Sequence, residues 1–183
     1  VRSSYGKFSG KVGIFCNMLL FALKAFIGTI THSVSITADA VNNLSDAASS
    51  VISLIGFKMA EKPADKEHPY GHARFEYLSG LTVAVLIIII SFELFKTSIE
   101  KIIHPSEVSF NIIVVIILIV SILVKLWMAF FNKSLGKKIN STTLEATAAD
   151  SRNDVITTFA VLIASIISHF SGIELDGIIG LAV

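Results

Sequence analysis

Four acidic side chains stand where the chain is otherwise apolar: Asp39 and Asp46 in the stretch ADAVNNLSDA, and Asp150 and Asp154 in ATAADSRNDV. On a helix turning about 100° per residue, Asp39 and Asp46 fall within about 20° of each other, with Asn42 and Asn43 on either side of Asp46. They make one polar stripe. Asp150 and Asp154 are four apart and share a face, whereas Arg152 between them projects to the far side and is a poor counter-ion for them. Carboxylate and amide oxygens in this pattern are the donor set of a divalent cation rather than of a nucleophile or a thiolate centre.

The two stretches repeat at a spacing of 108 positions: Asn42 matches Asp150, Asp46 matches Asp154, and Ser49-Ser50 matches Thr157-Thr158. If the two segments cross a membrane in opposite directions, each pair lies about 14 to 20 Å deep from its own side, and both meet near the middle. Asn42, Asp46, Asp150 and Asp154 then converge on one site. A single Asn or Asp in a membrane helix is often interhelical glue. Three acids at bilayer depth, at roughly 2.5 to 3.5 kcal/mol each, favour a cation site over packing.

The solvent for these helices follows from composition. Of 183 residues, 53% are hydrophobic and only 16% charged, and the mean hydropathy is +0.75. That is too apolar for a soluble domain. A net charge of +1 implies no nucleic-acid partner, and the lone Cys16 supports neither a disulfide nor a thiolate metal site. Spans are expected near Val12 to Thr31, Val34 to Phe57, Phe75 to Phe95, Asn111 to Phe131 and Thr143 to Ile167, with a sixth starting near Leu175. Residues 1–11 read as a polar, basic segment ahead of an uncleaved anchor, and 12–183 as one membrane domain. The sixth span has too few residues to cross a bilayer, so it is expected to be truncated at Val183.

Orientation is read from the basic residues. Arg2, Lys7 and Lys11 precede the first span, Lys58, Lys62, Lys66 and Arg74 surround the second connection, and Lys133, Lys137 and Lys138 sit at the fourth. The N-terminus and the even-numbered connections are therefore expected in the cytoplasm. Lys125 is expected to snorkel to that interface, and Lys24 and Glu93 to the opposite one. His32, His104 and His169 read as interfacial residues.

ADAVNNLSDA, the connection HPYGHARFEYLSG and ATAADSRNDV together resemble the transmembrane domain of the cation diffusion facilitator family. The resemblance covers nearly the whole chain. It implies an all-α membrane protein with a six-helix bundle, a homodimer embedded in lipid, proton-coupled metal export, and a cytoplasmic C-terminal domain that this sequence lacks. It also implies a secondary transporter of the cell membrane rather than an enzyme, with the metal as cargo and no cofactor. In that family two four-residue-spaced pairs bind the metal, and here they are Asn42/Asp46 and Asp150/Asp154. Zinc members resemble the chain but carry His in the quartet, usually at the position of Asp150. An amide and three carboxylates suit a harder ion with about six oxygens, which points to Mn2+; Zn2+, Fe2+, Co2+ and Cd2+ can use the same oxygens.

Two further features are expectations of the same reading. Asp39 lies about 10 Å along the helix from Asp46 on the same face, where it either relays protons or metal or packs through hydrogen bonds. Asp65, His68 and His72 match an accessory zinc site found in some family members. Clustered acids without a cation cannot all remain ionised, so an empty site holds at least one proton, and metal entry displaces it. Rival classes are an intramembrane aspartyl protease, which lacks its G-x-G-D sequence here, and a passive channel, whose selectivity would be built from rings around a pore.

Overall fold

The computed structural model describes residues 2–60, 74–105, 111–140, 142–172 and 174–183, and among them every regular element is a helix. These are α1 (Arg2–Thr31), α2 (Val34–Ala60), α3 (Arg74–Ile103), α4 (Ile112–Ile139), α5 (Thr142–Ser171) and α6 (Asp176–Ala182). The helices overrun the expected spans. α1, α3 and α5 have 30 residues each, about 45 Å at ~1.5 Å per residue against a hydrocarbon layer of ~30 Å. Residues 2–11 form the first turns of α1. Among the described residues, Phe8–Thr31, Ile112–Ile139 and Leu144–Ser171 are long and apolar enough to cross a membrane. Phe15, Phe26, Ile116, Phe130 and Phe170 point outward from the bundle, an exterior suited to lipid.

α1 with α2, and α4 with α5, form the two most closely packed helical hairpins. The 108-position repeat extends to their turns: His32, at φ 54°, ends α1, and Asn140, at φ 49°, ends α4. Both adopt the left-handed conformation that closes a helix, which Asn and His tolerate better than most residues. The glycines beside these turns also correspond. A Cβ on Gly28 would lie 2.7 Å from Thr37 Oγ1 and 3.1 Å from its backbone nitrogen, and one on Gly136 would lie 3.0 Å from Glu145 Cγ. At Gly28 only hydrogen allows the helices so near each other, and at Gly136 a Cβ would press on the Glu145 side chain. The hairpins are inverted with respect to one another, as cross-contacts show: Ser9 Oγ donates to Asn132 Oδ1 at 2.6 Å and Asn42 meets Asp154. This is the arrangement of an inverted repeat.

α3 and α6 brace the α1–α2 turn. Ser33 caps α2 by accepting from Ile36 N at 3.2 Å. Asp176, from α6, accepts from Val34 N at 2.7 Å and Ser35 N at 3.3 Å, so a carboxylate satisfies the helix's free amide donors. Lys101 of α3 completes the knot, 2.9 Å from Asp176 and 2.5 Å from the His32 carbonyl. Just inside this end lies the dry core of Ile27, Ile36, Val114, Leu118, Val161 and Leu162.

The close approach at Gly28 yields a prediction. Gly28→Ala forces apart Thr37 and its backbone and should cost about 1 to 3 kcal/mol. Gly136→Ala should cost less, because Glu145 Cγ belongs to a side chain that can swing aside. Thermal unfolding in detergent, followed by circular dichroism, orders the two variants.

Candidate metal site

Beneath the dry core the bundle interior turns polar at successive levels. The level next to the core holds Asp39 of α2, 1% exposed. Its carboxylate lies 2.8 Å from Lys24 Nζ of α1 and accepts from Thr158 Oγ1 of α5 at 3.0 and 3.2 Å. Lys24 Nζ also reaches Thr158 Oγ1 at 3.0 Å. Three helices are tied together here by one ion pair and one hydroxyl.

About two turns further from the α1–α2 turn, α2 and α5 present the residues singled out by spacing. Asp46, Asp150 and Asp154 each offer a carboxylate oxygen, and these oxygens lie within 4.8 Å of one another. Asn42 Nδ2 donates to Asp154 Oδ1 at 2.7 Å. Turning that amide about its last bond would present Oδ1 to the same place, so all four side chains can supply oxygen. Asp154 is buried, Asp46 partly so, and Asp150 exposed. Among the described residues burial thus decreases toward the α4–α5 turn, while the Asp39 level and the dry core close the other end.

Lys125 stands among the acids. Its Nζ is 2.8 Å from Asp46 Oδ2 and 2.5 Å from Asp154 Oδ2, and its side chain is 1% exposed. The expectation that Lys125 snorkels is therefore overturned, and so is that for Lys24, which is wholly buried. A buried carboxylate holds a nearby ammonium more strongly than the distant interface attracts it. A signal was present in the sequence: each lysine interrupts a long apolar run, and an ionised group in a membrane helix is by default a partner of another. Which partner each takes depends on helix packing.

The remaining residues are distributed as follows. Glu93 is exposed, as are His32, His104 and His169. Arg152 faces away from the acids and lines a crease between α4 and α5 with Lys133, Lys137 and Glu145. Cys16 is a free thiol. The loop triplet Asp65, His68 and His72 lies outside the described residues.

A bundle of long apolar helices that converge oxygen donors from two inverted hairpins defines a class: membrane carriers of cations. Residues 10–183 match the cation efflux transmembrane domain, and the chain belongs to that family, the cation diffusion facilitators, which are transporters and not enzymes. It is 36% identical over 91% of its length to an uncharacterised transporter of Methanocaldococcus jannaschii, covering 59% of that protein. It is 30% identical over 90% of its length to the manganese efflux system protein MneS of Bacillus subtilis, covering 57%. It is also 30% identical over 88% of its length to the magnetosome protein MamM of Magnetospirillum gryphiswaldense, covering 51%. The chain thus spans little more than half the length of these relatives.

The Lys24–Asp39 pair yields the second prediction. Lys24→Met leaves Asp39 buried without a counter-ion and should cost about 3 to 5 kcal/mol, whereas pairing it with Asp39→Leu should recover most of that loss. Unfolding midpoints of the single and double variants, measured side by side, check it.

Proposed function

We propose that this chain is the membrane part of a divalent-metal exporter whose site is Asn42, Asp46, Asp150 and Asp154, with Mn2+ as the preferred cargo. The observation that carries this reading is the convergence of three carboxylates within 4.8 Å, with Asn42 in contact, inside an apolar bundle. The donors are all oxygen, which suits a harder ion completing its shell with water or backbone carbonyls. The name of the B. subtilis relative, a manganese efflux protein, agrees with that choice.

The burial gradient supports a cycle. With the charge-derived orientation, the open α4–α5 end is cytoplasmic, so the described conformation is ready to load metal from inside. Rocking of the two hairpins against each other would close that end and open the other, as inverted repeats allow. Protons taken up by the emptied carboxylates outside and released inside would couple export to proton entry. The full protein works as a homodimer in the cell membrane.

Three measurements test this. Calorimetric titration with Mn2+, Zn2+, Fe2+ and Cd2+ should give the tightest binding for Mn2+, and Asp154→Ala should abolish it; undiminished binding in that variant refutes the site. Asp150→His exchanges a hard oxygen for a borderline nitrogen and removes a negative charge, so Zn2+ should gain on Mn2+ by about tenfold, ~1.4 kcal/mol in relative affinity. Competition between the two ions reads this directly. For coupling, efflux from vesicles should accelerate with an inward proton gradient; a rate indifferent to the gradient rules out exchange.

A further inference from the structure

Lys125 occupies the position a metal needs. Its ammonium bridges Asp46 Oδ2 on α2 and Asp154 Oδ2 on α5, at 2.8 and 2.5 Å, and these are two of the three carboxylates that converge within 4.8 Å. A divalent ion bonded to oxygens at ~2.0 to 2.6 Å cannot share those same oxygens with an ammonium in contact, because the two cations would be pressed together in a low dielectric. The two occupants exclude each other. We propose that Lys125 is a tethered competitor for the metal: it neutralises the empty site, is pushed aside when a divalent ion enters, and by returning helps to expel that ion. This rests on the proposed reading of Asn42, Asp46, Asp150 and Asp154 as the metal site.

The surroundings supply places for the displaced ammonium. Ser121 stands one turn before Lys125 on the same face of α4, wholly buried, and its Oγ has no hydrogen-bond partner. Long side chains in helices run back over the preceding turn, so this oxygen lies along the natural path of the lysine. Asn17 of α1, 4% exposed, carries a second unpartnered oxygen, Oδ1. The Ser9–Asn132 contact between antiparallel α1 and α4 puts Asn17, eight residues on, level with residue 124. Buried acceptors without donors are uncommon and call for an occupant.

Lys24 makes a useful contrast. The 108-position repeat pairs Asn17 with Lys125 and Lys24 with Asn132, so the first helix of each hairpin, α1 and α4, carries one buried lysine and one buried asparagine among the described residues, in exchanged order. Lys24 meets a single carboxylate, Asp39, with Thr158 shared between them. That pair is complete and lies beyond the metal cluster. Lys125 meets two carboxylates from different helices with a third close by, which leaves the cluster short of positive charge and able to attract a divalent ion. A carrier must also let its cargo go, and a cation on a tether beside the site weakens retention without removing any ligand.

The test compares the full chain, in detergent with Mn2+ titrated by calorimetry, as wild type, Lys125→Met, Lys125→Arg and Asp154→Ala. Removing the competitor should tighten Mn2+ binding by about tenfold or more in Lys125→Met and slow Mn2+ release in a stopped-flow chelator chase. Arginine, whose planar fork holds carboxylates more firmly, should weaken binding below wild type. Because Lys125→Met loses an ion pair in the metal-free state, its melting temperature is measured with and without Mn2+, and the rise on adding metal should exceed that of wild type. A purely structural tie would give the opposite: Lys125→Met binding no tighter than wild type, or Lys125→Arg binding as tightly, overturns the proposal. If Asp154→Ala loses binding while Lys125→Met matches wild type, only the role of Lys125 falls. If Asp154→Ala binds like wild type, the metal site itself is wrong and the inference falls with it.

Discussion

Burying carboxylates in an apolar bundle is the constraint on which the rest of this structure depends. Isolated in a medium of low dielectric, each ionised acid would be prohibitively costly, so every one must meet a cation, a donor or water. The interior satisfies that demand in graded fashion. Asp39 is matched by Lys24 and Thr158, Asp154 by Lys125 and Asn42, Asp46 by Lys125 with partial access to water, and Asp150 by exposure. The pairing is tight where the bundle is closed and deficient where it opens. That deficiency of positive charge is what the proposed cation site rests on.

The architecture follows from placing those groups at one depth. Two hairpins of like construction, with a left-handed residue and a close glycine at each turn, insert in opposite senses so that α2 and α5 bring corresponding segments together. The turn between α1 and α2 is then fastened by Asp176, Ser33 and Lys101, and the dry core seals the interior just below it. Among the described residues no comparable seal separates Asp150 from solvent. Among those residues the cluster is closed on one side only, which agrees with the carrier proposed above, since a path open at both ends would conduct rather than transport.

Family membership and geometry bear on different parts of this picture. The match over residues 10–183 establishes the family. It does not distinguish one metal from another, because relatives of comparable similarity include a manganese efflux protein and a magnetosome protein. The metal proposed above rests instead on the proposed donor set, because an amide and three carboxylates are harder ligands than imidazole or thiolate.

Much of the fold and the quartet was legible in the residue pattern. Long apolar runs specify membrane helices because the bilayer demands internally satisfied backbones. Four-residue spacing places Asp150 and Asp154 on one face whatever surrounds them, and the 108-position echo of Asn42 and Asp46 pairs the two segments. These are local or periodic properties, and a linear sequence carries them. The partners of Lys24 and Lys125 were not legible. A lysine's long stem can reach either an interface or a neighbour about 6 Å away, and spacing along its own helix does not choose between them. The choice was made by α1 and α4 packing their lysines against acids on α2 and α5, residues 15 to 79 positions away in the chain. Ion pairing in a low dielectric depends steeply on distance, and only the tertiary structure sets those distances.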